Sequence, residues 1–237
     1  MEIQGLVAFI TGASRGIGRA IAKALAKEGC HVALAARNAE LLEETARLCR
    51  SYGVEVLTFP FEITDTHALQ QAIESCVHQL GSLNILINNA GIHVNGSVRD
   101  ASLEQWDHLL DVNLKSVIHA THYALPYLEQ SSQGSLIYIS STAGKVNFPE
   151  ESIYCASKHG LMSFVGSIFE EVRQKNIKVC AICPGFVNTE MAQGRHLDPM
   201  KMIQPEDVAH TVVFVLKFPQ TGCPTEITIR PQHSPYL

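Results

Sequence analysis

Short apolar runs recur along the chain and are separated by longer amphipathic stretches. The first run, residues 6–10, contains no charged residue, which is typical of a strand buried on both faces of a parallel sheet. Similar runs predict further strands at residues 31–35, 55–60, 85–87, 136–139, 179–183 and 226–229.

The amphipathic stretches carry apolar residues at helical spacing. They predict one helix that ends at Lys27 and others at residues 39–52, 67–80, 103–129 and 153–176. Gly29, Gly53 and Gly81 follow the first three helices, and a glycine just past the last turn commonly ends a helix. We expect a break near Asn113 in the helix at 103–129.

Because strands and helices alternate, the pattern predicts an α/β fold. We expect a doubly wound parallel sheet of about seven strands, with helices on both faces and right-handed crossovers. Residues 1–237 are within the range of one large domain. Ligands in such folds bind outside the carboxyl ends of the strands, so a site is expected among the residues that follow them.

Composition and charge restrict the classes of function. Hydrophobic residues make up 46% of the chain and charged residues 17%, which suits a globular protein with a sizeable core. The formal charge of −5 provides no electrostatic basis for binding nucleic acid or an anionic membrane. The sequence shows no leader pattern at its N-terminus and no apolar stretch long enough to span a bilayer. We therefore expect a cytoplasmic protein that binds neither nucleic acid nor membrane.

Cysteine and histidine usage predicts neither a disulfide framework nor a metal site. The seven cysteines are odd in number and scattered, as expected for reduced thiols in the cytosol. Cys180 and Cys183 have redox-motif spacing, but in a strand they would point to opposite faces, which favours core packing. The eleven histidines show no ligand spacing, so no metal is assigned.

A glycine-rich segment directly follows the first strand and leads into a helix. Its glycines, Gly12, Gly16 and Gly18, have the spacing Gly-x3-Gly-x-Gly. Such a turn lets the backbone approach a pyrophosphate and directs the helix N-terminus toward it. The order of strand, glycines and helix is more specific than the glycines alone. It favours dinucleotide binding over a simple tight turn.

The end of the second strand indicates which dinucleotide binds. An acidic residue there would hydrogen-bond the ribose 2′-hydroxyl of NAD, but the chain has Ala36 and then Arg37. An arginine suits a 2′-phosphate by its charge and its planar donors, and Arg15 in the glycine turn could reach the same phosphate. The alternative is two solvated surface arginines. The pattern favours NADP(H) over NAD(H).

Tyr154 and Lys158 lie one turn apart on the predicted helix at 153–176, so the phenol and the ammonium can converge. A free tyrosine ionises near pH ~10, and a close cation brings its pKa nearer the range of acid–base catalysis. Taken alone, such a pair is more often an ordinary surface Tyr and Lys. Ser141 ends the fifth strand thirteen residues earlier, and a loop of that length can return its hydroxyl to the tyrosine. Asn113 lies in an apolar patch and needs hydrogen-bond partners, either structural or in a site.

Together, these motifs resemble the short-chain dehydrogenase/reductase family over nearly the whole chain, which implies a Rossmann-type fold. Each motif is weak alone, but their order is specific. In chain order the matching elements are Thr11-Gly12-x3-Gly16-x-Gly18, Asn88-Asn89-Ala90-Gly91, Asn113, Ser141, Tyr154-x3-Lys158, and Pro184-Gly185 followed by Thr189.

The resemblance implies roles for four catalytic residues. Tyr154 would protonate the carbonyl oxygen in reduction, or act as the base in oxidation, and Ser141 would hydrogen-bond and polarise that oxygen. Lys158 would lower the tyrosine pKa and hold the nicotinamide ribose. Asn113 would position a water that links Lys158 to bulk solvent.

The resemblance also implies a set of cofactor-binding residues that includes Tyr154 and Lys158. The phosphate turn would comprise Gly12, Ser14, Arg15, Gly16, Ile17 and Gly18. The adenosine ribose would lie along Asn89, Ala90 and Gly91. The nicotinamide side would be lined by Pro184, Gly185, Val187 and Thr189. The set is completed by Arg37, Asn38, Glu62 and Ile63.

Three features depart from the family pattern. Glu62 stands where the family usually has an aspartate at the adenine edge. The expected substrate loop spans about residues 186–204. Its part after Met191 is short, whereas relatives often carry a longer lid there. This part is also polar, with Gln193, Arg195, His196 and Asp198. The glycine-rich ending common in the family is absent. We expect a homodimer or a homotetramer, with a dimer formed through the helices at 103–129 and 153–176.

The predicted function is hydride transfer between NADP(H) and a ketone or secondary alcohol, as in carbonyl or 3-oxoacyl reductases. A sugar or steroid dehydrogenase fits nearly as well. A non-catalytic NADPH sensor would have no use for the acid–base pair, and dehydratases or epimerases of this type tend to be longer. Substrate contacts, or mere loop, are expected by position at His93, Val94, Asn95, Lys145, Val146, Phe148, Glu151, Phe186 and residues 191–202.

Overall fold

Seven parallel strands form one sheet in the part of the chain that the structure, a computed structural model, describes: residues 2–193 and 196–236. The strands are β1 Val7–Thr11, β2 His31–Ala36, β3 Val56–Pro60, β4 Ile85–Asn88, β5 Ser135–Ile139, β6 Lys178–Pro184 and β7 Glu226–Ile229. Their order in the sheet is β3-β2-β1-β4-β5-β6-β7. The predicted α/β fold with a doubly wound parallel sheet is confirmed.

The described residues also form α-helices, most of them at the predicted positions. They are α1 Gly16–Lys27, α2 Ala39–Arg50, α3 Thr66–Leu80, α4 Leu103–Leu110, α5 Ser116–Leu128, α6 Ser152–Val172 and α7 Pro205–Lys217. A π-helical turn, Asp111–Lys115, separates α4 from α5 and contains Asn113, so the predicted break is confirmed. None of the described helices combines the length and the apolarity that crossing a bilayer requires.

Helix α7 was not predicted from the sequence, although its start carries clear local signals. Gln204 and Asp207 form a capping box, and Pro205 occupies the first turn, where its missing N–H costs nothing. Val208 and Val212 then follow at helical spacing, and both are fully buried.

Two cores lie on opposite faces of the sheet because successive strand side chains point to opposite sides. Helices α1, α2 and α7 cover one face, where Ile21 and Val212 are fully buried. Helices α3, α5 and α6 cover the other, where Ile73 and Leu161 are buried. Fully burying one such side chain stabilises the fold by about 1.5–3 kcal/mol. Because both faces of the sheet are buried, the sequences of the strands are continuous apolar runs.

The four central strands end along one edge of the sheet. β1, β4, β5 and β6 are neighbours, and all run in the same direction. The loops that follow Thr11, Asn88, Ile139 and Pro184 therefore open on the same side. The predicted motifs follow these strand ends.

Candidate active site

A cleft of about 1600 Å³ opens at the carboxyl ends of the central strands. Every residue predicted to bind the cofactor lines it, and so does Ser141. Asn113 lies behind the wall of the cleft and is 1% exposed. Folding thus brings together motifs that are distributed from β1 to β6.

The glycine-rich segment that joins β1 to the first turn of α1 has no room for side chains at two positions. Gly12 has a φ of 65°, and a Cβ there would lie 2.9 Å from the Cα of Ala90. A Cβ on Gly18 would collide with the carbonyl oxygen of Gly12. Arg15, the N-cap residue of α1, makes no side-chain cap bond within the described chain. The first N–H groups of α1 are therefore available to an anion, as a dinucleotide pyrophosphate requires.

Thr11 and Asn89 fasten this turn to the end of β4. The Thr11 hydroxyl accepts hydrogen bonds from the backbone N–H groups of Asn89 and Ala90, each at 3.0 Å. The Asn89 side chain donates to the carbonyl oxygens of Thr11 at 2.9 Å and Gly12 at 3.1 Å. The side chain of Asn89 therefore shapes the turn as well as lining the cleft.

Both arginines predicted to bind a 2′-phosphate line the cleft, and each pairs with a glutamate. Nη1 of Arg37 lies 3.5 Å from Oε2 of Glu62, and Arg15 pairs with Glu190. The four side chains are about half exposed, so water screens both pairs. Glu190 was not predicted, because no sequence pattern connects the loop after β6 with the glycine turn.

Asn38 and Ile63 complete this end of the cleft. Oδ1 of Asn38 accepts a hydrogen bond from the Leu41 N–H at 2.9 Å and so caps α2. The amide nitrogen of Asn38 still has donors for a ligand. Ile63 packs against the core on the α3 side of the sheet.

Tyr154 and Lys158 lie in the first two turns of α6 and line the cleft. Nζ of Lys158 lies 5.8 Å from the centroid of the Tyr154 ring and donates a hydrogen bond to the Ile139 carbonyl oxygen at 3.0 Å. Lys158 is only 5% exposed, and this burial lowers its pKa from 10.5 to about 8. A lysine with such a pKa can exchange a proton near neutral pH, and in its charged form it favours a nearby phenolate.

Ser141 begins a 3₁₀ turn, Thr142–Gly144, directly after β5. Its Oγ accepts a hydrogen bond from the Ala143 N–H at 3.1 Å, which leaves the hydroxyl proton available to a substrate. The neighbouring Ser140 is 4% exposed, whereas Ser141 is partly exposed. Ser141 is therefore the more accessible of the two hydroxyls.

Asn113 ties the π-helical turn to the segment after β4. Its Nδ2 donates to the Ile92 carbonyl oxygen at 2.9 Å, and its Oδ1 accepts from the Ile92 N–H at 2.8 Å. A Cβ on Gly91 would lie 3.4 Å from Oδ1 of Asn113 and 3.9 Å from Nζ of Lys158. Asn113 thus meets the predicted requirement for partners and lies close to Lys158. π-helical turns of this kind occur frequently at functional sites.

The predicted substrate positions divide into those that line the cleft and those that do not. Lys145 pairs with Glu226 instead, and Val146 is 51% exposed. Val94 is likewise outside the described lining, and Arg195 lies outside the described residues. The positions that line the cleft are His93, Asn95, Phe148, Glu151, Phe186, residues 191–193, and residues 196 and 197.

Tyr236, near the C-terminus, lines the cleft and was not predicted. Its ring packs edge-to-face against Phe186, with the centroids 5.7 Å apart. A β-bridge between Leu197 and Tyr236, and a hydrogen bond of 2.8 Å from the Asp198 N–H to the Pro235 carbonyl oxygen, hold the two segments together. Only the tertiary structure brings this residue to the site.

Comparisons with known proteins agree with the fold and the motifs. A family model described as short chain dehydrogenase matches residues 6–199. An uncharacterised oxidoreductase from Staphylococcus epidermidis is 31% identical over 230 residues, which span 97% of this chain and 99% of that protein.

Two solved structures illustrate the likeness in three dimensions. A short-chain dehydrogenase from Burkholderia cenocepacia, in complex with NADP, is 31% identical with a TM-score of 0.90 and covers 98% of both chains. Carveol dehydrogenase from Mycobacterium avium, in complex with NAD, is 25% identical with a TM-score of 0.89 and covers 97% of this chain and 98% of that one. Similar proteins thus bind either dinucleotide.

Proposed function

The chain belongs to the short-chain dehydrogenase family, and we propose that it reduces a ketone to a secondary alcohol with NADPH as the hydride donor. One observation carries the proposal. Ser141, Tyr154 and Lys158 line the same cleft of about 1600 Å³ as the glycine-rich turn. Membership of the family makes the chain an oxidoreductase; the carbonyl substrate and the direction are our proposal.

In this proposal, the bound nicotinamide supplies the hydride, and side chains of the protein transfer the proton. Tyr154 donates its phenolic proton to the carbonyl oxygen, while the Ser141 hydroxyl donates a hydrogen bond to the same oxygen. The charged form of Lys158 stabilises the phenolate that is left behind. Asn113 holds the backbone beside Lys158 and would position the water that returns a proton.

NADPH is preferred over NADH in this proposal because of the charges around the end of β2. That strand ends at Ala36, and Arg37 follows it where an acidic residue would favour NAD. Arg15 lines the same cleft. A 2′-phosphate would draw both guanidinium groups away from their half-exposed glutamate partners, because its charge is larger and it accepts bidentate hydrogen bonds.

We also propose that the enzyme works in the cytoplasm as a homodimer or homotetramer. All seven cysteines are unpaired, as in a reducing compartment. Exposed apolar side chains, among them Ile118 on α5 and Phe214 on α7, offer surfaces for self-association.

A Tyr154→Phe variant tests the proposed acid. Consumption of NADPH in the presence of a panel of ketones should fall at least about a hundredfold, because a positioned acid contributes 10²–10⁴-fold. NADPH binding, followed by its fluorescence, should stay nearly unchanged. The matched control is Tyr52→Phe, at a tyrosine on the surface that is 45% exposed. Full activity of Tyr154→Phe, or failure of the unaltered protein to reduce any ketone, would contradict the proposal.

A further inference from the structure

The C-terminal segment, residues 230–236, is tied at both of its ends to the loop that follows β6. Where the segment leaves β7, the Gly185 N–H donates to the Ile229 carbonyl oxygen at 2.8 Å. Near its other end, the Asp198 N–H donates to the Pro235 carbonyl oxygen at 2.8 Å, and Pro235 is buried. The last residues of a domain are well ordered only where such bonds and burial fix them. These contacts therefore give the end of this segment a defined place beside the cleft.

Tyr236 is held at the cleft by its backbone and by its ring. The backbone forms a β-bridge with Leu197, which is only 7% exposed. The ring packs edge-to-face against Phe186, with the centroids 5.7 Å apart. Tyr236 nevertheless remains 62% exposed, and it lines the cleft. An aromatic ring is thus positioned by its neighbours while much of the residue stays accessible to a ligand.

Other large apolar side chains are also exposed where they line the cleft. Phe148, in the loop that joins Ser141 to α6, is 39% exposed, and Met191, in the loop after β6, is 49% exposed. The two loops flank Ser141 in the sheet order, since β5 and β6 are neighbours. Ligand sites are lined mainly by apolar and aromatic side chains, and exposed apolar patches mark such sites. These side chains therefore suit an apolar group on the substrate.

The positive charges at the cleft already have proposed roles. Among the described residues that line the cleft, the arginines and lysines are Arg15, Arg37 and Lys158. The two arginines are assigned to the 2′-phosphate of the cofactor, and the lysine acts on the proposed acid. The described lining thus offers no further arginine or lysine to an anionic group, which favours a substrate without charge.

We propose that Tyr236 is a specificity-determining residue that packs against an aromatic ring of an uncharged ketone substrate. This inference rests on the proposed function and names the substrate class of the same site. Aromatic rings pack edge-to-face or offset against one another, and such pairs are favoured beyond the area that they bury. A substrate ring would extend the packing that Phe186 and Tyr236 already make with each other. A small aliphatic ketone would leave these side chains in contact with water.

The reaction remains an ordinary carbonyl reduction. Hydride from NADPH goes to the carbonyl carbon, and the Tyr154 proton goes to its oxygen. The C=O π bond breaks, and new C–H and O–H bonds form. The products are the secondary alcohol and NADP⁺, and the aromatic ring is not altered.

The test compares 4-phenylbutan-2-one with butan-2-one, which lacks the phenyl group. For each enzyme form, kcat/KM is measured on both ketones, and their ratio is compared between forms so that the intrinsic reactivity of the ketones cancels. The ratio should fall about tenfold or more in Tyr236→Ala, because the substrate ring loses its partner. Tyr236→Phe keeps the ring and should keep most of the ratio. The same comparison of acetophenone with butan-2-one covers a ring attached directly to the carbonyl.

Two controls separate recognition of the substrate from support of the loop. His233→Ala changes an exposed ring of the same segment, outside the described lining of the cleft, and should not change the ratio. Tyr236→Ala keeps the backbone bridge to Leu197, so its Tm and its equilibrium binding of NADPH should match those of the unaltered protein. Loss of a merely structural contact would instead disturb the loop that carries Val187 and Thr189 and would weaken NADPH binding.

The possible outcomes distinguish this inference from the proposed function. A ratio that falls in Tyr236→Ala for at least one aromatic ketone, but not in Tyr236→Phe or His233→Ala, supports the inference. The inference is wrong if Tyr236→Ala changes neither ratio, or if Tyr236→Phe loses as much as Tyr236→Ala. It is also wrong, while the proposed function stands, if the unaltered enzyme reduces other ketones but neither aromatic one. If the unaltered enzyme reduces no ketone in a broad panel, the proposed function fails first, and this inference fails with it.

Discussion

Arg37 and Glu62 are two exposed side chains of opposite charge at the place where the 2′-phosphate of NADPH is proposed to bind. Arg37 provides the charge that suits a 2′-phosphate, and Glu62, 3.5 Å away, offsets that charge in the absence of ligand. The pair is more than a third exposed on each side, so its own contribution to stability is small. Its effect on an incoming phosphate is therefore open to a direct test.

We expect Arg37→Ala to weaken NADPH binding at least about tenfold while changing NADH binding little, because only NADPH carries the 2′-phosphate. Glu62→Gln should strengthen NADPH binding up to about fivefold, since it removes the carboxylate that competes with the phosphate for Arg37. Equilibrium titration of both cofactors measures the effects.

Arg50→Ala is the control for these variants, because Arg50 forms a comparably exposed pair with Glu43 outside the cleft. If Arg37→Ala weakens the binding of both cofactors equally, Arg37 does not bind the 2′-phosphate. Weaker NADPH binding by Glu62→Gln would show that the glutamate supports the cofactor instead of opposing it.

The buried Lys158 should make the free energy of unfolding of the ligand-free protein depend on pH in the alkaline range. Burial lowers its pKa from 10.5 to about 8, so between these values the unfolded chain holds more protons than the folded one. The free energy of unfolding should therefore gain on the order of 3 kcal/mol from this group as pH rises from 8 to 10.5. Below pH 8 the cost of burying the charged lysine is constant.

Lys158→Met should remove this dependence and be more stable than the unaltered protein at pH 7, because it buries an apolar chain in place of a charge. Denaturant unfolding at a series of pH values, read as the difference between the two proteins, isolates the lysine from other groups. Lys115→Met, at a lysine 65% exposed, provides the control. A difference that is the same at every pH would refute the lowered pKa.

At the scale of elements, the π-helical turn between α4 and α5 carries the polar residue that links two parts of the site. The apolar pattern predicts a helix and a break, but the register of the break depends on Asn113 bonding both backbone groups of Ile92. These bonds hold the segment that contains Gly91 and His93 against the π-helical turn. The element therefore supports a segment that lines the cleft next to the proposed catalytic residues.

Asn113→Ala should destabilise the fold by about 1–2 kcal/mol, because it leaves two partly buried backbone groups of Ile92 without their partners. Activity should fall as well, since Lys158 loses its neighbour. Thermal or denaturant unfolding gives the stability change. Asn95→Ala, at an exposed asparagine on the same segment, should stay within about 0.5 kcal/mol. A fully stable Asn113→Ala protein would show that water replaces the side chain at no cost.

At the scale of the whole molecule, apolar surface remains on the helices proposed to form a dimer. Ile118 on α5 is 36% exposed and Leu103 at the start of α4 is 71% exposed. On the other face of the sheet, Phe214 on α7 is 54% exposed. Two such surfaces could form a tetramer from two dimers.

Ile118→Lys should raise the dissociation constant of the proposed dimer at least about tenfold, because a charge in an apolar interface is costly. Light scattering after size-exclusion chromatography, over a range of concentrations, measures the change. Leu48→Lys, at an exposed leucine on α2 on the opposite face of the sheet, is the control. An unchanged assembly in Ile118→Lys would place the interface elsewhere.

The sequence by itself determined the parallel sheet, the glycine-rich turn and the pairing of Tyr154 with Lys158. Each of these depends on local physics: apolar runs, backbone freedom at glycine, and a four-residue helical spacing. The motifs could also be assigned to one edge of the sheet, because parallel strands bring their carboxyl ends together. Helix α7 could also have been predicted from its capping box, but it was not.

Only the tertiary structure decided which distant side chains face one another. Glu190 against Arg15, Glu151 against His93, and Tyr236 against Phe186 each join segments that have no shared pattern. Such contacts follow from how loops of particular lengths pack over the strand ends, which neither hydrophobic periodicity nor residue spacing specifies. The proposed chemistry at the reacting oxygen therefore rests on local motifs, whereas the side chains that line the rest of the cleft are set by the packing of the loops around it.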